Sequence, residues 1–229
     1  MLTLITSDGE PFPLDFEPIL TLEKDPRNYI DIIVADFNTK RATRWIRDGD
    51  VVVDLGANIG LFTCCAAPLA SRVIAVEPSL RHYQNLVKVC EQAPAGAYIE
   101  TVRAAIWTED GEIPFMVDKS NHTMDRISYH ADNPHKDTVK CTTLATLFDK
   151  YDIEYADFVK MDIEGAEIDV LRGEGFTSVV DRIGSIWVEC HNYKDWGDGM
   201  KVAEDVRAEL LKHFSEIFDF NICWMYAHD

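Results

Sequence analysis

The chain has 229 residues, of which 47% are apolar and 27% are charged, a composition typical of globular proteins and not of disordered ones. Its 40 acidic and 22 basic residues give a formal net charge of −18. Nucleic acids and anionic membranes attract basic proteins, so this charge disfavours both as partners. At this length we expect a single domain over residues 1–229.

The sequence carries no targeting signal that we recognise. Its start has no basic stretch and reaches Asp8 and Glu10 early, unlike a signal peptide. The longest weakly polar stretch, residues 55–70, is too short to cross a bilayer. The six cysteines show no Cys-x-x-Cys spacing, which favours reduced thiols in a cytoplasmic protein.

The first fifty residues are predicted to cover the sheet of this domain. Asp8-Gly9 is a turn signal for a hairpin, and apolar residues recur at helical spacing over residues 29–47. We therefore expect residues 1–49 to form a hairpin and helix cap and not a second domain.

From residue 50 onward, short strands alternate with helices. Strands are predicted at residues 51–55, 72–77 and 98–102 because these runs are short and rich in apolar residues. Helices are predicted at residues 61–70 and 80–90, the second with Ser79 as its N-cap.

The second half of the chain continues this pattern after an interruption. Residues 107–140 are polar and irregular, which is typical of a surface insertion or a substrate lid. Strands at residues 158–161 and 183–190 precede a helix at residues 203–214 and a terminal antiparallel pair. Buried strands separated by helices predict an α/β fold, with a parallel sheet covered on both faces.

The glycine-rich segment after the first strand predicts a nucleoside cofactor site. Gly56 and Gly60 allow a tight turn and a close approach of a ligand to the main chain. Ligands of open α/β sheets bind at this carboxyl edge. The second strand ends in Glu77, whose carboxylate can accept hydrogen bonds from a ribose diol.

The spacing of the glycines favours S-adenosylmethionine over NAD. A dinucleotide site has Gly-x-Gly-x-x-Gly for its pyrophosphate, whereas here Gly56 and Gly60 are separated by three residues. The nearby acid, Asp54, repels a pyrophosphate but suits a cationic sulfonium ligand. The alternative is a glycine turn that binds no ligand.

Two further segments bring acids and a histidine to the same edge of the sheet. Asp162 follows the strand at residues 158–161, and Glu164 and Glu167 suit a helix N-terminus. If the next strand is a neighbour, its end places Glu189 and His191 beside Asp162. The candidate catalytic residues are therefore His191, Asp162 and Glu189.

Two chemical roles remain open for these three residues. Asp162 or His191 could act as the general base that accepts a hydroxyl proton during methyl transfer. Alternatively, Asp162, Glu189 and His191 could bind a divalent cation such as Mg²⁺ that lowers the pKa of the acceptor hydroxyl.

Four segments of the sequence resemble the FkbM family of S-adenosylmethionine-dependent methyltransferases: residues 54–60, 77–78, 105–107 and 160–167. The most specific is Asp-Ile-Glu-Gly-Ala-Glu at residues 162–167. The resemblance implies a Rossmann-like, seven-stranded sheet of order 3-2-1-4-5-7-6, with the last strand antiparallel. It also implies O-methylation of a hydroxyl on a sugar or another small natural-product acceptor.

The resemblance also implies roles for individual residues. Asp54, Gly56, Asn58 and Gly60 would line the methionine side of the cofactor, Glu77 would hold the ribose, and the stretch near Ala105 would border the adenine. The cofactor-binding residues expected in this way are Asp54, Gly56, Ala57, Asn58, Gly60, Glu77, Pro78, Ala105 and Asp162.

Three other functions compete with methyl transfer to a small molecule. An NAD-dependent oxidoreductase shares the fold but not the glycine spacing. A nucleic-acid methyltransferase would need an Asn/Asp-Pro-Pro-aromatic block after the fourth strand, which is absent, and a basic face. A catalytically silent cofactor-binding or scaffold protein would not need Asp54, Glu77 and Asp162. The sequence is compatible with a homo-oligomer.

Overall fold

A computed structural model describes residues 42–91, 98–117, 125–128, 136–191, 199–219 and 224–229. Eleven strands lie within these residues. They are β1 (Val51–Leu55), β2 (Arg72–Val76), β3 (Tyr98–Val102), β4 (Ala105–Ile106), β5 (Gly111–Met116), β6 (Arg126–Ile127), β7 (Lys136–Thr142), β8 (Phe158–Met161), β9 (Ser185–Glu189), β10 (Glu216–Asp219) and β11 (Trp224–His228).

Seven of the strands form a large mixed sheet in the order β3-β2-β1-β8-β9-β11-β10. Strands β3, β2, β1, β8 and β9 pair in parallel, while β11 runs antiparallel to both β9 and β10. When the strands of this sheet alone are counted along the chain, the order is 3-2-1-4-5-7-6. The predicted topology and the predicted terminal antiparallel pair are therefore confirmed.

Both faces of the large sheet are buried, as the apolar strands predict. Val53 and Leu55 of β1 belong to one apolar cluster, whereas Val52 packs into a second cluster with Phe158 and Trp187. Neighbouring residues of a strand point to opposite faces, so the two clusters lie on the two sides of the sheet. This double burial explains why the central strands have few polar residues.

Helices connect the strands, and their bounds differ from the prediction. They are α1 (Leu61–Ala66), α2 (Leu80–Cys90), α3 (Leu144–Lys150), α4 (Glu167–Arg172), α5 (Glu174–Thr177) and α6 (Gly199–Leu210). Helix α1 ends before the predicted residue 70, two residues ahead of Pro68, which cannot continue the helical hydrogen bonds. Helix α6 starts and ends four residues earlier than predicted.

The predicted irregular segment at residues 107–140 was partly wrong. It contains β5, β6 and most of β7, which form a small second sheet of order β4-β7-β5-β6. In this sheet β5 is antiparallel to both β6 and β7. The predicted N-terminal hairpin and most of the cap helix lie outside the described residues, as does much of the predicted lid.

Candidate active site

The strand register places four sequence segments side by side at the carboxyl edge of the large sheet. Leu55 pairs with Val76 and Met161, and Met161 pairs with Val188. The residues that follow or end these strands are Glu77, Gly56, Asp162 and Glu189, which stand in this order across the edge. The sheet thus brings together the glycine loop and the acidic residues that the sequence analysis selected.

The loop after β1 folds tightly because three of its residues adopt a left-handed backbone. Gly56, Asn58 and Gly60 have φ values of 78°, 51° and 93°. The backbone N–H groups of Gly56 and Ala57 both donate to the carbonyl oxygen of Val76, at 3.0 and 2.9 Å. The loop is thereby fixed to the end of the neighbouring strand.

Gly56 also allows the main chain to approach the loop after β8. A Cβ atom at Gly56 would lie 1.7 Å from the carbonyl oxygen of Asp162, so no other residue fits without movement of the backbone. The backbone N–H of Asp162 donates to the carbonyl of Leu55 at 3.0 Å. Gly56 therefore sets the distance between the two halves of the site.

Glu77 is held at the edge of the sheet by the backbone on both sides of it. Its two carboxylate oxygens accept hydrogen bonds from the N–H of Asn58 (2.9 Å) and of Ser79 (2.8 Å). The side chain is almost fully buried. Each oxygen keeps a further lone pair, so the carboxylate can still accept a hydrogen bond from a ligand.

An open cleft with about 580 Å³ of empty space lies along this edge. Six of the predicted cofactor-binding residues line it. These are Gly56, Asn58, Glu77, Pro78, Ala105 and Asp162. The cleft is also lined by residues that were not predicted for the cofactor, namely Val76, His82, Ala104, Ile106, Phe115, Asp125, Ile127, Ile163 and Glu164.

Three predicted cofactor-binding residues do not line the cleft. Asp54 has no exposed surface, and Ala57 packs against Ala75 and Leu86 inside the protein. A Cβ atom at Gly60 would lie 2.8 Å from the side chain of Leu86. These three residues support the loop from inside the protein, where β2 and α2 supply the packing contacts of Ala57 and Gly60.

Lys160 is a site residue that the sequence analysis missed. Its ammonium lies 3.3 Å from a carboxylate oxygen of Asp54 and 3.3 Å from one of Asp162, and it donates to the carbonyl of Gly56 at 3.1 Å. The only signal in the sequence was a lysine inside an apolar strand. The lysine neutralises Asp54 within the core and ties the glycine loop to Asp162.

The close contacts between charged groups shift the pKa values of Lys160 and of Asp54. Burial alone would lower the pKa of Lys160, but Asp162, Asp54 and Glu189 outweigh it and hold that pKa above its usual value. Burial raises the pKa of Asp54, although Lys160 and the hydroxyl of Thr63, which donates to it at 2.6 Å, oppose the rise. Lys160 therefore remains a cation at neutral pH.

His191 lies at the centre of a group of carboxylates that we call the His191 cluster. Its Nδ1 is 3.0 Å from Oε1 of Glu167, and its Nε2 lies 3.9 Å from Asp162, 3.7 Å from Glu164 and 3.7 Å from Glu189. The predicted meeting of Asp162, Glu189 and His191 is therefore present. His191 does not line the cleft.

The buried carboxylate of Glu167 organises this cluster. It accepts hydrogen bonds from the N–H groups of Ile163 and Gly165, both at 3.2 Å, in addition to its contact with His191. The predicted helix-terminal position of Glu167 is correct, since it is the first residue of α4. Its contact with His191 was not predicted, because the two residues belong to different strand-helix units.

The cluster favours a protonated His191. Burial alone would lower its pKa, but Glu167, Glu164 and Asp162 outweigh it and raise the pKa well above its usual value. Burial, and then the charge of Asp162, raises the pKa of Glu189 to about 9. At neutral pH His191 is thus an imidazolium and Glu189 retains a proton, which removes His191 as a ready proton acceptor.

The donor set of the cluster suits a divalent cation only in part. The ligand atoms of Asp162, Glu164 and His191 all lie within 4.8 Å of one another, so Glu164 joins the residues predicted as ligands. Carboxylates suit Mg²⁺, but His191 must be neutral to coordinate a metal. The ammonium of Lys160 already balances Asp162, so the fit to a cation is poor.

One protein family matches most of the chain. The family model for the methyltransferase FkbM domain matches residues 54–220. The chain belongs to the FkbM methyltransferase family. This confirms the resemblance inferred from the sequence and supports S-adenosylmethionine, the methyl donor of this family, as the cofactor.

Individual relatives of this FkbM domain are distant. It is 26% identical over 160 residues to the hexuronic acid methyltransferase AglP of Haloferax volcanii, covering 70% of this chain. The chain spans 64% of the length of that curated relative.

Two solved structures are similar in fold but not closely. The precorrin-6y C5,15-methyltransferase of Geobacter metallireducens is 11% identical, with a TM-score of 0.47 over 85% of this chain and 87% of that chain. An rRNA methylase of Streptococcus thermophilus is 12% identical, with a TM-score of 0.45 over 83% of this chain and 91% of that chain. These likenesses are too distant to bear on activity.

Proposed function

We propose that this protein transfers the methyl group of S-adenosylmethionine to a hydroxyl oxygen of a sugar or another small natural-product acceptor. The observation that carries the proposal is the row of Glu77, Gly56 and Asp162 along one cleft. It combines an acceptor for ribose hydroxyls, a close approach to the main chain and a carboxylate at the far end.

The sugar class of acceptor is supported by one relative. AglP is a hexuronic acid methyltransferase, and a hexuronic acid carries both hydroxyl groups and a carboxylate. The carboxylates that surround the methionine end of the cleft repel an anionic reacting group. We therefore propose that a hydroxyl, and not a carboxylate, is methylated here.

The chemistry needs little covalent help from the protein. The cofactor brings an activated methyl group on a sulfonium, and the acceptor oxygen attacks that carbon while the bond to sulfur breaks. Holding the oxygen in line with this bond is worth about 7–11 kcal/mol. The walls of the cleft would supply this positioning.

Asp162 is the proposed acceptor of the hydroxyl proton. It is the one candidate among Asp162, Glu189 and His191 that lines the cleft, and proton transfer of this kind is worth about 10²–10⁴ in rate. His191 is assigned a positioning role, because it is protonated and keeps the carboxylates in place. No step requires a divalent cation.

The cofactor assignment is tested by calorimetric titration of the full chain with S-adenosylhomocysteine. Glu77→Gln should weaken binding by at least about tenfold, because it removes a charged acceptor and leaves one backbone N–H facing an amide donor. Glu91→Gln, at an exposed position at the end of α2, should bind like the wild type. Equal affinities of all three proteins would contradict the role of Glu77.

The acceptor is tested by assaying methyl transfer to neutral sugars and to hexuronic acids, with and without EDTA. A methyl ether survives mild alkali, whereas a methyl ester is hydrolysed, so alkaline treatment identifies the atom that was methylated. We expect an alkali-stable product and no effect of EDTA. An alkali-labile product would replace the hydroxyl with a carboxylate acceptor, and loss of turnover in EDTA would restore the predicted cation.

The setting of the reaction is also a proposal. The five described cysteines, which are Cys64, Cys65, Cys90, Cys141 and Cys190, are free thiols, as expected in a reducing compartment. This supports the cytoplasmic location predicted from the sequence. Among the described helices, none combines the length and the apolar character needed to cross a bilayer.

A further inference from the structure

The end of the cleft beyond Glu77 has a different character from the end near Asp162. It is walled by five apolar residues, each less than a tenth exposed: Ala104, Ala105, Ile106, Phe115 and Ile127. Such a dry slot suits a flat ring, whereas the polar end near Asp162 suits the charged part of a ligand. In an adenosyl compound the base and the sulfur lie on opposite sides of the ribose, so the apolar end is the place for the base.

A carboxylate next to the small sheet lines the cleft together with these apolar residues. Asp125 immediately precedes β6 and lines the cleft, although its side chain is only 2% exposed. Its Oδ2 lies 3.7 Å from the guanidinium of Arg81 and 3.7 Å from Nδ1 of His82. The carboxylate is thus anchored by the start of helix α2 and has little freedom to move.

His82 links this carboxylate to the predicted ribose site. Its Nδ1 is also 3.7 Å from Oε1 of Glu77, and its Nε2 is 3.0 Å from the guanidinium of Arg81. The same nitrogen, Nδ1 of His82, therefore lies 3.7 Å from Asp125 and 3.7 Å from the carboxylate that would hold the ribose. A base attached to that ribose would lie against the apolar wall and near Asp125.

A fixed carboxylate can only accept hydrogen bonds, so one that faces the 6-position of a purine selects a base with a donor at that position. Adenine presents its 6-amino group, whereas hypoxanthine and guanine present a carbonyl oxygen at the same position. We propose that Asp125 selects the base of the cofactor by accepting a hydrogen bond from the 6-amino group of adenine. The inference rests on the proposed function, because it assumes that an adenosyl ligand occupies the cleft.

The test compares two ligands that differ at one group. S-Adenosylhomocysteine and S-inosylhomocysteine, in which a 6-oxo group replaces the 6-amino group, are titrated calorimetrically into the full chain. The wild type should prefer the adenosyl compound by at least about tenfold, since a buried carboxylate facing a carbonyl loses a charged hydrogen bond. A wild type without this preference would overturn the proposal.

The preference should depend on Asp125 alone. Asp125→Asn should remove most of it, because an amide can turn to donate to the 6-oxo group or accept from the 6-amino group. Asp125→Ala should also remove it. Asp137→Asn changes an exposed residue of the same small sheet and should keep the wild-type preference.

The ratio of the two affinities is measured within each variant, so a general loosening of the cleft weakens both ligands and leaves the ratio intact. A wild-type ratio in both Asp125 variants would overturn the role of Asp125 and leave the proposed function standing. A wild type that binds neither ligand would overturn the proposed function and this inference together.

Discussion

The protonation state of His191 is the feature of a single residue that most changes the chemistry of the site. A histidine beside acids was predicted as a general base or a metal ligand. The carboxylates of Glu167, Glu164 and Asp162 instead stabilise the charged form of this imidazole. An imidazolium that faces Asp162 and Glu164 lowers the repulsion between these two carboxylates, which keeps Asp162 at the cleft.

This assignment predicts a pH dependence of stability. Because the pKa of His191 is raised in the folded state, its charged form adds to the free energy of unfolding. This contribution is fully present below the ordinary histidine pKa of about 6.5, and it is lost as the pH rises through the raised pKa. The loss of unfolding free energy caused by His191→Gln should therefore be largest in mild acid and should shrink towards alkaline pH.

The cause of the shift is tested at Glu167, the largest favourable influence on His191. Glu167→Gln should lower the His191 pKa, followed by NMR titration of its ring protons, while Glu174→Gln at an exposed position of α5 should leave it unchanged. An unchanged pKa in Glu167→Gln would assign the shift to the other carboxylates.

At the scale of elements, the contact between the loops after β1 and β8 joins the two halves of the site. Gly56→Ala and Gly49→Ala both place a side chain on a left-handed backbone, with φ of 78° and 92°, at a cost of about 1–2 kcal/mol. Only at Gly56 does the new Cβ meet the backbone, because Gly49 has open space around it.

Gly56→Ala should therefore lower the free energy of unfolding by clearly more than Gly49→Ala, as measured by chemical denaturation, and should also weaken S-adenosylhomocysteine binding. Gly49→Ala should bind like the wild type. Equal destabilisation by the two variants would mean that the loops can separate without cost, and that Gly56 does not set their distance.

The elements of the large sheet could be predicted because each strand buries a short apolar run, and burial on both faces leaves a clear pattern. The strands of the small sheet could not be predicted in this way. Strand β5 contains Pro114 and exposed Glu112, while β4 and β6 are two residues long, so local patterning is too weak to reveal them. Asp125 was missed for this reason, since its position depends on that sheet.

Contacts between residues of different strands and helices could not be predicted from the sequence either. From sequence alone, a lysine in a buried strand has no evident partner, and only the strand register shows that Lys160 lies opposite Asp54. Likewise, the sequence assigns Glu167 only a local role at a helix terminus. The segments that carry the cofactor and the acids could be found from sequence, because each is contiguous. Which acid meets which cation depends on the tertiary fold.

At the scale of the whole molecule, the net charge of −18 should affect which acceptors reach the cleft. Long-range repulsion acts on an anionic sugar but not on a neutral one, and raising the salt concentration from about 0.01 to 0.1 M shortens the screening length from about 30 to about 10 Å. The KM for a hexuronic acid should therefore fall several-fold over this range, because its approach is no longer opposed.

The matched neutral sugar, with a hydroxymethyl group in place of the carboxylate, should show a KM that is independent of salt. Potassium chloride is the appropriate salt, because sulfate and phosphate also strengthen apolar contacts. If the KM for the hexuronic acid instead rises with salt, attraction by a local cationic group must outweigh the charge of the whole molecule. The carboxylate of the acceptor would then be a recognised feature, and the acceptor class would narrow to acidic sugars.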